Sequence, residues 1–126
     1  MRRIALYAHY DADREVKRYV SHCLEALTGV CDRLDFVSTA ELPEVELAKA
    51  RRHAGRAFVK DNVGYDFGMW KRALEDVDLS EWDELILANS SVYGPLYPLS
   101  ECFARMADSR CDFWCMNDST QHDRHL

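Results

Sequence analysis

Two polar segments containing glycine are the places where this sequence could do chemistry: Asn62-Val-Gly-Tyr-Asp-Phe-Gly68 and Asn89-Ser-Ser-Val-Tyr-Gly-Pro95. In the first, Gly64 and Gly68 permit positive φ or close approach of a ligand to the backbone. Asp66 can cap the helix predicted to follow, and the N–H groups of that helix could hold an anion such as a diphosphate. A strand-to-helix turn whose glycines only satisfy geometry is the alternative, which the spacing alone favours slightly.

The second segment directly follows an apolar run, residues 84–88, that reads as a buried strand. Polar residues and a glycine directly after the carboxyl end of a strand are well placed to contact a ligand. A Gly-Pro turn that merely ends the strand is an equally good interpretation.

Six other positions carry weaker signals. His9 and Tyr10 end the first predicted strand and could line the same crevice, although a lone histidine is more often structural. Asp11 and Asp13 are favoured as helix caps over catalysts. The pair of histidines at positions 122 and 125 offers no third ligand for a metal, so a metal site there is disfavoured.

Alternating strands and helices must position these segments. Predicted strands cover residues 3–8, 33–38, 56–60, 84–88 and 111–116. Four helices are predicted. The first follows residues 11–13 and ends near Gly29, and the second covers 43–53. The third follows the first glycine-containing segment and has an apolar face of Phe67, Trp70 and Leu74, and the fourth begins at Pro98 and has an apolar face of Leu99, Cys102, Phe103 and Met106. The order predicts an α/β, three-layer Rossmann-like domain with a mostly parallel central sheet of about five strands. Ligands of such sheets collect at the carboxyl ends of the strands, near a topological switch point.

Length and charge narrow the function classes. The chain has 126 residues, the size of one domain, and a net charge of −6 from 16 basic and 22 acidic residues. Such a balance argues against general nucleic-acid binding. No apolar run reaches the length of a membrane helix, and the opening apolar residues are too few for a signal peptide. The five cysteines are predicted to be mostly reduced core residues, which fits the cytoplasm.

Three stretches resemble one known family: Asn62-Val-Gly-Tyr-Asp-Phe-Gly-Met-Trp-Lys71, Asp83-Glu-Leu-Ile-Leu-Ala-Asn-Ser-Ser-Val-Tyr-Gly-Pro-Leu-Tyr-Pro-Leu99 and Cys111-Asp-Phe-Trp114. Together with the opening Arg3-Ile-Ala-Leu-Tyr-Ala-His-Tyr-Asp11, they are similar to the rhamnan synthesis protein F family. The resemblance implies a nucleotide-sugar-dependent glycosyltransferase with a GT-A-like fold. Its implied donor is dTDP-rhamnose, and its implied role is the synthesis of rhamnose-containing cell-wall or lipopolysaccharide glycans.

The resemblance also implies a set of nucleotide-sugar-binding residues. His9 and Ser38 are expected near the nucleoside. The sugar-diphosphate pocket is expected to be shaped by Asn62, Gly64, Tyr65, Asp66, Gly68 and Lys71, and closed by Asn89, Ser91, Tyr93 and Gly94.

The metal site of GT-A enzymes is altered in this sequence. Their fourth strand ends in an Asp-x-Asp-like motif whose cation bridges the diphosphate, and here Asn89-Ser90-Ser91 stands in its place. Neutral side chains should hold Mg or Mn weakly. We therefore expect metal-independent or weakly metal-dependent binding, with Lys71, Arg72 and the helix N-terminus neutralising the diphosphate; a metal held by Asp66 or Asp118 is the alternative. The family pattern also has glycine where this chain has Cys115.

The family's proteins continue beyond this length, so residues 1–126 are expected to form the nucleotide-sugar-binding half of a GT-A-like domain. No catalytic base is identified. Expected partners are a nucleotide sugar and a glycan acceptor, with self-association or association with other glycan-assembly proteins. The expected location is the cytoplasm or the inner face of the membrane.

Two other functions stay open at this stage. One is a binding or scaffold module without turnover. The other is a phosphorylation receiver domain, since acidic residues follow strands 1 and 3 and Ser90 follows strand 4. A receiver needs a lysine after strand 5, where this chain has Asn117-Asp118.

Overall fold

The structure, a computed structural model, describes residues 1–61 and 64–116. Within that part, four strands form one parallel sheet: β1 (Arg3–His9), β2 (Arg33–Ser38), β3 (Arg56–Val59) and β4 (Glu84–Asn89). The α-helices are α1 (Arg18–Thr28), α2 (Glu44–Arg51), α3 (Tyr65–Leu74) and α4 (Leu99–Met106), and a short 3-10 helix spans Leu79–Glu81. The predicted α/β class is confirmed.

The strand order is β3-β2-β1-β4. The chain steps outward from β1 through β2 to β3, and then crosses back to place β4 on the free side of β1. The order therefore reverses between β1 and β4, which is the switch point where sheets of this kind bind ligands. A receiver domain has the order 2-1-3-4-5, with its third strand beside the first. Because β3 pairs with β2 here, the receiver interpretation is wrong.

Apolar helix faces cover both sides of the sheet. On one side, Tyr7 and Phe36 pack with residues of α1, α2 and α4. On the other side, Ile4 and Leu6 pack with Met69 of α3 and its neighbours. The almost uninterrupted apolar run of β1 fits a central parallel strand buried on both faces.

A buried ion cluster holds the amino-terminal end of β2 against β3. The Asp35 carboxylate is fully buried and accepts hydrogen bonds from Arg33 Nε at 2.9 Å and Nη2 at 2.8 Å. Arg56, its partner in the β2–β3 register, donates from Nε at 3.2 Å. These bonds compensate the burial of the charge.

The fifth predicted strand is wrong. Residues 111–116 form no strand; instead Trp114 packs edge-on against Phe103 of α4, with ring centroids 5.1 Å apart. Their aromatic content is typical of strands, but in the described part of the chain they find no strand to pair with. The described sheet consequently has four strands.

The expectation that β4 is buried is also wrong, because β4 is an edge strand of the described sheet. Leu85 and Leu87 keep 39% and 46% of their surface exposed. Both are in register with Ile4 and Leu6 on the face covered by α3. That helix packs mainly over β1 and β2 and leaves these two leucines of β4 partly exposed.

Two helices differ from the prediction. The apolar face of α3 consists of the buried Met69 and Ala73 with the predicted Trp70 and Leu74 half-buried beside them, whereas the predicted Phe67 points largely to solvent. α1 begins at Arg18, well after the acidic pair expected to cap it, and Asp11 instead accepts the backbone N–H groups of Asp13 and Glu15, both at 3.1 Å.

The cysteines depart from the predicted core role as well. Cys23 and Cys31 are half-buried, while Cys102, Cys111 and Cys115 are exposed. Separately, none of the helices formed by the described residues is long and apolar enough to cross a membrane.

Candidate functional site

The carboxyl ends of β2, β1 and β4 form one edge of the sheet, here called the carboxyl rim, at which the final strand residues are Ser38, His9 and Asn89. His9 and Ser38 are fully buried. The structure therefore brings together, at the switch point, three residues that were predicted to bind ligand.

His9 and Ser38 form a polar pair at the rim. His9 Nδ1 lies 2.7 Å from Ser38 Oγ, and Ser38 Oγ also accepts the Ala40 N–H at 3.1 Å. Which of the two groups donates in the His9–Ser38 bond depends on which ring nitrogen carries the proton. Nε2 is buried and has no hydrogen-bond partner among the described residues.

The His9 imidazole is neutral near pH 7. Burial lowers its pKa from 6.5 to about 4, and the nearby Asp11 charge and Glu15 carbonyl offset only part of this effect. The buried His9 ring therefore does not supply positive charge for a phosphate at the rim.

Asp66 and Asn89 link the two glycine-containing segments. Asn89 Nδ2 donates to Asp66 Oδ2 at 2.7 Å. α3 follows β3, which lies three strand positions from β4, a distance of about 14 Å at normal strand spacing. The helix nevertheless begins beside β4, so the segment after β3 ends at the switch point.

Gly64 makes this entry into α3 possible. It lies at the N-cap of the helix with φ 83°, and its carbonyl accepts the Gly68 N–H at 2.9 Å. A Cβ at position 64 would lie 3.2 Å from Gly68 Cα. Both the positive φ and the close approach require glycine, as its position in the sequence suggested.

Ser90 joins the end of β4 to the residue that follows β1. Its hydroxyl accepts the Tyr10 N–H at 3.1 Å and lies 3.3 Å from the Tyr10 carbonyl, to which it donates. The Ser90 N–H donates to the Ala8 carbonyl at 3.0 Å. The sequence singled out Ser90 as a substitution in a metal motif and as a residue of the receiver interpretation, and this positioning role was missed.

Two exposed aromatic rings flank Asn89, each supported by a second aromatic residue. Tyr93 packs on Tyr19 at 4.3 Å between centroids, and the Tyr19 hydroxyl donates to the Ser90 carbonyl at 2.9 Å. Phe67 packs edge-on against Trp70 at 5.3 Å, and Trp70 Nε1 donates to the Ala88 carbonyl at 3.0 Å. The supporting roles of Tyr19 and Trp70 were not predicted; their helical spacing indicated only core residues.

Other predicted site residues lie apart from these contacts. Lys71 is exposed in the last turn of α3, and Arg72 beside it pairs with Glu75 at 3.3 Å. Tyr65 is exposed at the first position of α3 with φ 53°.

The segment after β4 holds two more of the predicted residues. Ser91 is exposed, and Gly94 adopts φ 121°. The predicted ligands Asn62 and Asp118, and the histidines at 122 and 125, lie outside the described residues.

The residues described at the rim do not suit Mg or Mn. Asn89, Ser90 and Ser91 are neutral, and one Asp66 oxygen is already bonded to Asn89. Across residues 1–61 and 64–116, no three His, Cys, Asp or Glu side chains are grouped so that they could hold a metal ion.

Two cavities lie elsewhere, beside α1. One of about 310 Å³ is lined by residues of α1 together with Lys49 and His53, and one of about 380 Å³ lies between α1 and residues 95–100. Neither is lined by Asp66 or Asn89. The rim contacts therefore belong to neither of these two cavities.

Comparison with known proteins gives one match. The sequence profile of the rhamnan synthesis protein F family matches residues 34–125, from β2 onward and well over half of the chain. No curated protein and no solved structure matches the chain. The resemblance inferred from the sequence motifs is confirmed, and the chain belongs to the rhamnan synthesis protein F family.

Proposed function

We propose that this domain binds a nucleotide sugar at the carboxyl rim, with dTDP-rhamnose as the donor, as the nucleotide-binding part of a GT-A-like glycosyltransferase. The observation that carries the proposal is the Asp66–Asn89 hydrogen bond, which draws the segment after β3 and the end of β4 together at the switch point. Membership of a rhamnan synthesis family supports a sugar as the ligand.

The charges of the rim suggest how the ligand is oriented. Asp66 is a carboxylate in the first turn of α3, where it would accept hydrogen bonds from sugar hydroxyls. Asn89 gives its N–H to Asp66, which leaves its carbonyl oxygen to accept from the ligand. The neutral His9–Ser38 pair suits the uncharged nucleoside, as the sequence suggested.

Diphosphate binding would then depend on backbone N–H groups at the entrance to α3 and on Lys71 at the end of an extended side chain. Lys71 lies six residues beyond Tyr65, about 9 Å along the helix axis. The role of this domain in glycosyl transfer would be to orient the donor and stabilise the departing diphosphate.

A module that binds without turnover is the second candidate. The neutral sequence Asn89-Ser90-Ser91 favours it, because these side chains add no negative charge with which to hold a cation against the diphosphate. Donor binding with no release of sugar to any acceptor, with partner proteins added, would select this candidate. We place either form in the cytoplasm or at the inner face of the membrane, alone or associated with other glycan-assembly proteins.

The proposal is tested by calorimetry with dTDP-rhamnose, dTDP and UDP-glucose. Asn89→Asp places two carboxylates face to face and should abolish donor binding. The exchanged pair Asp66→Asn with Asn89→Asp restores one amide opposite one carboxylate and should recover part of it. Asp78→Asn, at an exposed cap of the 3-10 helix, is the control.

Variants of the glycine-containing segment give a second test. Asn62→Ala and Gly64→Val are expected to abolish binding of the nucleotide sugar. If the unchanged protein binds no nucleotide sugar at millimolar concentration, or if all these variants bind it as well as the unchanged protein does, the proposed function is wrong.

A further inference from the structure

Phe67 and Tyr93 combine high exposure with firm support. They keep 79% and 76% of their surface exposed, yet each ring packs on a partner ring whose polar atom is hydrogen-bonded to the backbone of the β4 end. The accepting carbonyls belong to Ala88 and Ser90, the two neighbours of Asn89. The two aromatic pairs therefore flank the linked Asp66–Asn89 pair.

The two rings come from opposite sides of the sheet. Trp70, which supports Phe67, packs in the cluster beneath α3, whereas Tyr19, which supports Tyr93, packs in the cluster beneath α1. Each supporting bond has an ordinary length, 3.0 Å for Trp70 Nε1 and 2.9 Å for the Tyr19 hydroxyl. Such support reduces the conformational freedom that a ligand would otherwise have to restrict.

The chemistry of this surface fits a sugar ring. A pyranose presents an apolar C–H face that can lie on an aromatic ring, and hydroxyl groups around its edge that need acceptors. Flat aromatic groups beside a few polar groups are the usual composition of a small-molecule site. Here a carboxylate and an amide, Asp66 and Asn89, lie between the two aromatic pairs.

We propose that Phe67 and Tyr93 bind pyranose rings of the acceptor glycan, on either side of the site that holds the donor. This inference rests on the proposed function. The acceptor is the occupant, rather than the donor, because the two rings are largely exposed while the His9–Ser38 pair is fully buried. A saccharide chain arriving from solvent would meet the aromatic rings first.

The test is saturation-transfer NMR and calorimetry with a short rhamnose oligosaccharide, in the presence of dTDP. Phe67→Ala and Tyr93→Ala should each weaken oligosaccharide binding by about two- to tenfold, the range of a single aromatic contact. Phe67→Tyr and Tyr93→Phe keep a ring and should bind as the unchanged protein does. In neither Phe67 variant should the affinity for dTDP change.

Phe113→Ala is the matched control. Phe113 is 63% exposed, and its neighbour Trp114 packs on Phe103, whose ring lies 4.9 Å from the guanidinium carbon of Arg3 at the opposite end of β1. This variant should leave oligosaccharide affinity unchanged. Melting temperature and far-UV circular dichroism check that each variant is folded.

The outcomes separate this inference from the proposed function. If dTDP-rhamnose binds but the oligosaccharide does not, or if the alanine variants bind it normally, the aromatic rings are not an acceptor site and the donor site stands. If sedimentation shows a dimer that the alanine variants dissociate, the rings contact a second copy of the chain and the inference is wrong. If no nucleotide sugar binds, the proposed function fails, and this inference fails with it.

Discussion

The buried histidine at the end of β1 makes the stability of this protein depend on pH. The pKa of His9 is 6.5 in an unfolded chain and about 4 in the folded protein, because burial disfavours the charged ring. Between these values the unfolded state binds more protons, so stability is fully present above pH 6.5 and falls as pH falls toward 4. The linkage relation gives a loss of about 2 kcal/mol between pH 7 and pH 5 from this residue alone.

The perturbation that isolates this effect is His9→Asn, which cannot titrate and keeps a hydrogen-bonding atom near the position of Nδ1. The measured quantity is the change in unfolding free energy from pH 7 to pH 5, so the stability of the variant at pH 7 does not affect the comparison. We expect this change to be smaller in the variant by about 2 kcal/mol, or about 7 °C in melting temperature for a domain of this size.

Urea unfolding at the two pH values supplies the free energies, and an NMR titration of the histidine ring protons supplies the pKa directly. The His9 resonance is assigned by its absence in the variant. Equal losses of stability in the two proteins, or a His9 ring that titrates near 6.5, would refute the reasoning.

Three further predictions concern stability, and urea unfolding measures each. Gly64→Ala should cost about 1–2 kcal/mol, because alanine at positive φ is strained and its Cβ would crowd the next turn, whereas Gly55→Ala, with its nearest contact at 3.8 Å, should be nearly neutral; equal costs would contradict this account. Asp35→Asn should cost about 3 kcal/mol by leaving two arginines poorly paired, whereas Asp76→Asn, at an exposed partner of the same cluster, should cost under about 1 kcal/mol, and a reversed order would count against the buried cluster. Trp70→Phe removes one hydrogen bond to a strand carbonyl and should cost about 1 kcal/mol, so an unchanged midpoint would show that this bond contributes nothing.

Apolar runs and helical spacing predicted most elements of this fold. β1 is an almost continuous apolar segment and β2 contains Leu34, Phe36 and Val37, and both strands were located closely. The strand predicted at residues 111–116 failed because a short aromatic run becomes a strand only when a partner strand is beside it. Periodicity alone could not supply that partner.

The predicted face of α3 was wrong at Phe67 for a related reason. Phe67, Trp70 and Leu74 have the spacing of a buried stripe, and Trp70 and Leu74 do pack beside the buried Met69 and Ala73, but Phe67 stays exposed. Phe67 lies in the first turn of α3, near the carboxyl rim, where its ring stays exposed. Whether a residue of this helix lies near the rim depends on where the helix begins relative to β4.

The candidate site was predicted in its residues but not in its connections. Glycine and polar residues marked Gly64, Asp66 and Asn89, because unusual backbone and strand-end polarity are readable from sequence. That Asp66 meets Asn89 depends on β4 lying beside β1, and strand order is not encoded in any local pattern. The supports from Tyr19 and Trp70 likewise arise only from packing in three dimensions.

The segment that matches the family profile leaves out β1, the strand at the centre of the sheet. The matched segment begins at residue 34, inside β2, whereas β1 lies before it and pairs with both β2 and β4. Without β1, those two strands would lie about 10 Å apart, with their facing backbone groups unpaired. The matched segment alone therefore contains two separate parts of the sheet, and the first 33 residues, which include β1, join them into one folding unit.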